Sequence, residues 1–296
     1  MAQARVGCIG LGAMGLPIAR RLLAAGYPVA VNNRSQASVQ ELVSLGAEAR
    51  PDAAAIGVAC DIVLTALPTP EIVREVYLGE RGLLADVREG AVLIDLSTVS
   101  PEMSREIERA ARERDVNFLD APISGGPEGA VNGTLTIMCG GDAAAFERAR
   151  PVFEVFGERI YHAGPSGAGC TIKLVNQLLV SIHAVATAEA LALATKAGAD
   201  AQLTFEVVRN AWGGSRIFER SFPLMLAGND DGGANISIVL KDITVILDLA
   251  REIGLPLGLG EAAGKALADA RDRGLGGRDI AALRLLFTDD DARPIH

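Results

Sequence analysis

The chain has 296 residues, of which 49% are hydrophobic and 22% are charged. This composition is ordinary for a globular protein and excludes a disordered, collagen-like or coiled-coil polypeptide, and the length allows about two domains. The formal net charge is −9, and no cluster of Lys and Arg interrupts that acidity, so we expect no nucleic-acid partner. Apolar runs are short or broken by polar residues, and the N-terminus lacks a signal-peptide pattern. We therefore expect a cytoplasmic protein with no membrane span.

The four cysteines lie far apart in the sequence and form no Cys-x-x-Cys pair. They are Cys8, Cys60, Cys139 and Cys170. Only three histidines accompany them, and a structural zinc site needs tighter ligand spacing than this. The sequence predicts no metal site, and it favours small buried thiols in a reducing compartment.

Short apolar runs alternate with helical patterns through the first half of the chain. The predicted strands are Arg5–Ile9, Pro28–Asn32, Asp61–Leu67, Ala91–Leu96, Val116–Asp120 and Thr134–Cys139. Several of them are continuously apolar, as strands buried on both faces are. The alternation predicts an α/β domain over residues 1–165, with a doubly wound, mostly parallel sheet between helices.

The second half, residues 166–296, carries helical periodicity and no strand-type runs. Thr171–Lys196 is a long unbroken helical pattern closed by Gly198, and its length suits a helix that links two domains. Shorter helices follow, so the sequence predicts an all-α C-terminal domain for substrate binding and oligomerisation. Trp212 lies in this region, where a core position is favoured over a substrate contact.

A glycine-rich segment directly follows the first predicted strand and opens the first helix. It comprises Gly10, Leu11, Gly12, Ala13, Met14 and Gly15. In the strand–turn–helix context of a Rossmann-type domain, Gly10 permits the tight turn, Gly12 lets a pyrophosphate approach the backbone, and Gly15 lets the helix pack on the sheet. Free amides and the helix dipole favour the phosphates. The segment predicts a dinucleotide site.

The end of the second strand indicates which dinucleotide is bound. An NAD site usually carries Asp or Glu there to bind the ribose hydroxyls, whereas this chain has Asn33, Arg34 and Ser35. The Arg34 guanidinium offers a fork of donors that suits a phosphate, and Ser35 adds a hydroxyl. We predict NADP as the cofactor, with use of NAD left open.

Two polar residues stand near the start of the long helix. Lys173 and Asn176 are three residues apart, so they share one helix face. A lysine in an otherwise apolar helix loses part of its preference for the charged form, as general acid–base chemistry near neutral pH requires. A lysine that extends its ammonium into solvent remains the alternative.

Taken together, four motifs resemble the β-hydroxyacid dehydrogenases, a group that includes 3-hydroxyisobutyrate dehydrogenase, tartronate semialdehyde reductase and glyoxylate/succinic semialdehyde reductases. The motifs are Gly10–Gly15, Asp120–Gly126, Gly167–Asn176 and the pair Lys241-Asp242. They occur in the family's order and cover nearly the whole chain. Gln177 departs from the pattern, because a second Asn frequently stands there.

The resemblance implies roles for residues of the catalytic and substrate motifs. Lys173 would be the acid–base that protonates the carbonyl oxygen as hydride arrives, and Asn176 would hold Lys173 and the substrate. Ser124, Gly125 and Gly126 would bind the substrate carboxylate through a hydroxyl and unobstructed amides.

The resemblance also assigns four residues to the cofactor and one to the substrate turn. Leu67 and Pro68 stand at the end of the run Asp61–Leu67, and Thr98 follows the run Ala91–Leu96; all three would contact the cofactor. Lys241 would close over the cofactor or the substrate. Asp120 would brace the Ser-Gly-Gly turn. Family members commonly form homodimers or homotetramers, which we expect here as well.

The function expected is therefore NADP(H)-dependent interconversion of a small β-hydroxyacid and its semialdehyde, of tartronate, glyoxylate, succinic or methylmalonate type. An NAD-dependent 3-hydroxyisobutyrate-type dehydrogenase is the alternative. Two less favoured hypotheses are an imine reductase, which commonly lacks this lysine, and a non-catalytic dinucleotide sensor, which would not need it.

Overall fold

The computed structural model describes residues 3–287, and the chain divides into two compact units at Lys173 and Leu174. This division falls inside one long helix, eight residues beyond the boundary predicted at residue 165. The last nine residues of the predicted helical domain, 288–296, lie outside the described part.

The first unit alternates strands and helices as far as the long helix. Its strands are β1 (Val6–Ile9), β2 (Val29–Asn32), β3 (Glu48–Ala49), β4 (Ile62–Thr65), β5 (Val92–Asp95), β6 (Asn117–Asp120), β7 (Ile123–Ser124), β8 (Leu135–Gly141) and β9 (Gly157–Gly164). Its helices are α1 (Gly15–Ala24), α2 (Gln36–Ser44), α3 (Ala53–Ala59), α4 (Pro70–Leu78), α5 (Pro101–Arg112), α6 (Gly126–Asn132), α7 (Ala143–Phe153) and the first turns of α8 (Ala168–Lys196).

The nine strands form one sheet in the order β3-β2-β1-β4-β5-β6-β8-β7, with β9 pairing with β8. Strands β1 to β6 are parallel, whereas β8 runs antiparallel to β6 and β7. The strand order reverses between β1 and β4. In open α/β sheets, ligands bind at such a reversal, outside the carboxyl ends of the strands.

Alternate residues of the central strands enter two separate apolar clusters. Ile62 and Leu64 belong to one cluster, and Val63 between them belongs to the other. Because successive side chains in a strand point to opposite faces, the sheet is covered on both sides. This burial explains the continuously apolar strand sequences and confirms the Rossmann-type α/β architecture.

The second unit is helical, with a core of Ala, Leu, Ile and Phe side chains. It contains the rest of α8 followed by α9 (Ala201–Arg209), α10 (Arg216–Ala227), α11 (Ile236–Glu252) and α12 (Gly258–Ala270), then a π-helical turn (Arg271–Leu275) and a 3₁₀ helix (Ile280–Leu286). The core position favoured for Trp212 is wrong, because this side chain is fully exposed in the turn after α9.

Helix α8 has 29 residues and the length and composition of a membrane span, although the core helix of a soluble protein meets the same criterion. This helix also carries two buried polar side chains, Lys173 and Gln177. Charged groups are costly inside a bilayer. Lys173 would place such a group within the helix.

Candidate active site

The glycine-rich turn between β1 and α1 is held by contacts that exclude side chains at two of its three glycines. Gly10 has a φ of +87°, and a Cβ there would lie 2.4 Å from the carbonyl oxygen of Ala66. A Cβ at Gly15 would lie 1.9 Å from the carbonyl oxygen of Gly10. By contrast, a Cβ at Gly12 would meet no heavy atom of the described chain within 4 Å. The loop is therefore open at Gly12, where a pyrophosphate needs close access to the backbone.

The end of β2 is tied to this loop through Asn33. Its side-chain oxygen accepts a hydrogen bond from the amide of Leu11 at 3.1 Å, and its side-chain nitrogen donates to the carbonyl of Ser35 at 3.1 Å. Through these two hydrogen bonds, the side-chain amide of Asn33 connects the glycine-rich turn to the segment that follows β2. Arg34 is exposed, and no carboxylate within residues 3–287 forms an ion pair with it. Ser35 stands at the N-cap of α2 without a side-chain capping bond.

The structure also brings together the loops that follow β4 and β5. The amide of Leu67 donates a hydrogen bond to the hydroxyl of Ser97 at 2.9 Å, which joins the segment before Pro68 to the segment before Thr98. Both loops leave the carboxyl edge of the sheet beside the glycine-rich turn. The sequence placed these residues at one edge, and the structure adds the hydrogen bond between them.

The Ser-Gly-Gly turn connects the last residue of β7 to the first residue of α6. Ser124 is half-buried, whereas Gly125 and Gly126 are exposed with φ values of 132° and 65°. A Cβ at Gly125 would lie 3.1 Å from the Leu135 side chain, while one at Gly126 would meet no heavy atom within 4 Å among residues 3–287. Positive φ favours glycine at both positions, and the turn leaves its backbone approachable, as recognition of a carboxylate requires.

Asp120 anchors the start of α8 and not the Ser-Gly-Gly turn, so the bracing role expected for it is wrong. Its fully buried carboxylate accepts hydrogen bonds from the amide of Gly167 at 2.7 Å and from that of Cys170 at 2.8 Å. Burial raises the pKa of Asp120, and these two amides oppose the increase. The carboxylate satisfies amides that a helix N-terminus leaves unpaired. It fixes the turn three residues before Lys173.

Lys173 itself is buried, with 7% of its surface exposed. A lysine that extends into solvent from the helix start would have a much larger exposed fraction. Asn176 is half-buried one turn further along α8. The long helix therefore begins with an anchored turn, a buried amine and an amide on the same face.

Within the second unit, a chain of hydrogen bonds connects Asn176 to α11. The side-chain nitrogen of Asn176 donates to the Gln177 side-chain oxygen at 2.9 Å, and the Gln177 nitrogen donates to the buried carboxylate of Asp242. Lys241 forms an ion pair with the same carboxylate at 2.8 Å. The longer Gln177 side chain thus connects two motifs that lie far apart in the sequence. Sequence reasoning missed this connection, because its only signal was an atypical residue after Asn176.

Replacing Gln177 with leucine is expected to lower the free energy of unfolding by about 1–3 kcal/mol, because the buried Asp242 carboxylate loses a donor. Urea unfolding of the purified protein measures the change as a lower midpoint. The matched control is Gln202→Leu on α9, where the glutamine is exposed. Equal midpoints for the two variants would show that the bond to Asp242 contributes nothing to stability.

Comparison with known proteins supports the interpretation of this chain as one that binds a nicotinamide dinucleotide. Residues 5–164 match the family model described as the NAD binding domain of 6-phosphogluconate dehydrogenase. Residues 167–286 match the one described as NAD-binding of NADP-dependent 3-hydroxyisobutyrate dehydrogenase.

Two relatives from Pseudomonas aeruginosa align with nearly the whole chain. An NAD-dependent L-serine dehydrogenase is 38% identical over 96% of this chain and 97% of its own. A 3-hydroxyisobutyrate dehydrogenase is 37% identical over 96% and 98%. Among solved structures, the Mycobacterium tuberculosis 3-hydroxyisobutyrate dehydrogenase with L-serine has a TM-score of 0.89 at 31% identity, covering 96% of this chain and 99% of that one.

The fold and these matches define a nicotinamide-dinucleotide-dependent dehydrogenase that acts on CH–OH groups. Within that class, the chain belongs to the β-hydroxyacid dehydrogenase family.

Proposed function

We propose that this protein interconverts a small β-hydroxyacid and its semialdehyde with NADP(H), and that Lys173 is the acid–base. The observation that carries the proposal is a buried lysine at the start of α8, behind a turn anchored by Asp120. A bound nicotinamide supplies or accepts the hydride. Lys173 donates a proton to the carbonyl oxygen during reduction and takes it back during oxidation.

The other site residues have binding and positioning roles in this proposal. Asn176 presents its side-chain oxygen to Lys173 or the substrate, because its nitrogen is engaged with Gln177. Ser124, Gly125 and Gly126 bind the substrate carboxylate. The residues assigned to the cofactor are Gly10, Leu11, Gly12, Ala13, Met14, Gly15, Asn33, Arg34, Ser35, Leu67, Pro68, Thr98 and Lys241.

Two relatives' names support the substrate class. L-serine and 3-hydroxyisobutyrate, the substrates in those names, both carry a carboxylate with a hydroxyl group on the β-carbon. The tartronate, glyoxylate, succinic and methylmalonate semialdehyde types all offer a carboxylate near a carbonyl. We propose the reductive direction on such a semialdehyde, since NADP-type sites commonly serve reduction. Homodimers or homotetramers and a cytoplasmic location, with all four cysteines free and buried, complete the proposal.

The activity is tested by steady-state assays of serine, 3-hydroxyisobutyrate and the four aldehyde substrates, each with both cofactors, following the absorbance of the reduced nicotinamide. We expect turnover of at least one of these substrates, with a higher kcat/KM for NADPH or NADP⁺. Tight cofactor binding without turnover of any of them would contradict the proposal and favour a sensor or an imine substrate.

The relative named as NAD-dependent favours a second candidate, an NAD-dependent 3-hydroxyisobutyrate-type dehydrogenase. The two candidates differ at the end of β2. Arg34 is exposed and has no carboxylate partner within residues 3–287, so its guanidinium is available to a 2′-phosphate.

Replacing Arg34 with alanine is expected to raise the KM for NADPH by about 10–100-fold, since hydrogen bonds between charged groups contribute about 1.5–3 kcal/mol. The KM for NADH, which lacks the 2′-phosphate, serves as the internal control and should change little. Equal effects on both cofactors, or none on either, would place Arg34 outside the phosphate site and favour the NAD-dependent candidate.

A further inference from the structure

We infer that the buried carboxylate of Asp95 is a positioning residue for the cofactor: it fixes the two loops that follow β4 and β5. This inference rests on the cofactor role proposed for Leu67, Pro68 and Thr98. Asp95 itself lies beneath those loops, at the last position of β5, and is 1% exposed.

One oxygen of the Asp95 carboxylate accepts three hydrogen bonds. The Thr65 hydroxyl donates to Oδ1 at 2.7 Å, and Ser97 donates to it through its hydroxyl at 2.6 Å and its amide at 3.1 Å. Thr65 stands opposite Asp95 in the register of β4 and β5, so the carboxylate joins the ends of two neighbouring strands. Donors aimed at a charged acceptor form short, strong hydrogen bonds, and a buried charge needs them.

A further hydrogen bond connects Ser97 to the loop that follows β4. Because the Ser97 hydroxyl gives its proton to Asp95, its oxygen is free to accept the amide of Leu67, at 2.9 Å. The preceding residue, Ala66, lies against the glycine-rich turn, where its carbonyl oxygen leaves no room for a side chain at Gly10. A shift of the Leu67 segment would therefore disturb the turn proposed for the pyrophosphate.

The other end of this series of hydrogen bonds lies in the core, at the buried side chain of Tyr77. Thr65 gives its single proton to Asp95, so its oxygen accepts the hydroxyl of Tyr77 at 2.9 Å. Burial raises the pKa of Tyr77, and the Asp95 charge adds to this increase, so the phenol stays protonated and remains a donor. The Tyr77 hydroxyl thus bonds to Thr65 of β4 and not to a polar group of either loop.

Ser97 bonds to a loop amide, whereas Tyr77 bonds only to Thr65 of β4 in this series of hydrogen bonds. Variants at these two residues therefore distinguish a role in cofactor positioning from a contribution to core stability alone. Both Ser97→Ala and Tyr77→Phe remove one buried hydroxyl from the same chain of hydrogen bonds. Only Ser97→Ala releases the amide of Leu67. If Asp95 acts by holding the loops, the two variants should lose similar stability and differ in cofactor affinity.

The experiment measures the Kd for NADPH by isothermal titration, and the Tm without cofactor, for wild type, Ser97→Ala, Asp95→Asn and Tyr77→Phe. We expect Kd to rise about tenfold in Ser97→Ala and Asp95→Asn, and to stay near the wild-type value in Tyr77→Phe. The kcat at saturating cofactor should change little in all three. If Asp95→Asn fails to fold, Ser97→Ala carries the comparison.

Two results would overturn the inference: an unchanged Kd in Ser97→Ala, or an equal rise in Tyr77→Phe, which would indicate a purely structural role. A wild-type protein that binds neither NADPH nor NADH would refute the proposed function, and the inference with it. Because wild-type binding is measured first, the two failures are distinguishable.

Discussion

Replacing Lys173 with alanine is expected to lower kcat by about 10²–10⁴-fold, the range that a positioned general acid–base contributes. Alanine removes the only part of the side chain that carries a transferable proton. The helix should persist, since alanine is the best helix former. The Kd for NADPH should stay near the wild-type value, because Lys173 acts on the substrate oxygen in this account.

Lys196→Ala is the matched control for this variant. Lys196 ends the same helix, but its side chain is exposed. It should retain wild-type kcat and stability. A fall in kcat of less than about tenfold in Lys173→Ala, with cofactor affinity intact, would remove Lys173 from the acid–base role.

Replacing Gly12 with valine should raise the Kd for NADPH by about 100-fold or more while leaving the Tm nearly unchanged. The fold tolerates a side chain there, because a Cβ at Gly12 meets no atom of the described chain within 4 Å. The same open space is where the pyrophosphate is proposed to approach the backbone. Losing several charge-assisted bonds to phosphate, each worth about 1.5–3 kcal/mol, accounts for the size of the effect.

Gly258→Val at the start of α12 is the control for Gly12→Val. Gly258 is also exposed, and a Cβ there also meets open space within the described residues. Titration with NADPH and thermal unfolding of both variants separate ligand loss from fold loss. Undiminished affinity in Gly12→Val would mean that the phosphates bind elsewhere.

The strands of the first unit could be predicted because burial on both faces makes them continuously apolar. All six predicted strands occur within a residue or two of their expected bounds. The three that were missed lack this signal: β3 and β7 have two residues each, and β9 is largely exposed. Hydrogen bonding to a neighbouring strand forms β3, β7 and β9, and the hydrophobic periodicity of a sequence carries no information about such pairing.

The local geometry of the candidate site could be predicted where a sequence motif determines it. As their spacing predicts, Gly10 and Gly15 leave no room for a side chain, whereas Gly12 is open to an approaching ligand. Lys173 is buried, as its position in an apolar helix suggests. Contacts between distant segments could not be predicted. Asp120 was assigned to the turn nearest in sequence, but its carboxylate anchors a helix that begins 48 residues later.

Asp95 and Trp212 are two further residues whose surroundings could not be predicted from the sequence. Asp95 falls inside the predicted strand Ala91–Leu96, and only the register of β4 and β5 places its carboxylate beside the Thr65 hydroxyl. Trp212 was expected in the core on account of its residue type, yet the turn after α9 exposes it. Residue type predicts an average environment, whereas tertiary contacts decide the actual one.

The central claim is most directly tested by single-turnover kinetics with NADPH bound to excess enzyme and the best aldehyde substrate of the panel. The decay of the reduced nicotinamide's absorbance is compared in wild type and Lys173→Ala. The account predicts rapid decay in wild type and decay slowed by about 10²–10⁴-fold in the variant, with NADPH bound equally by both. Equal decay rates in the two proteins would show that Lys173 does not transfer the proton.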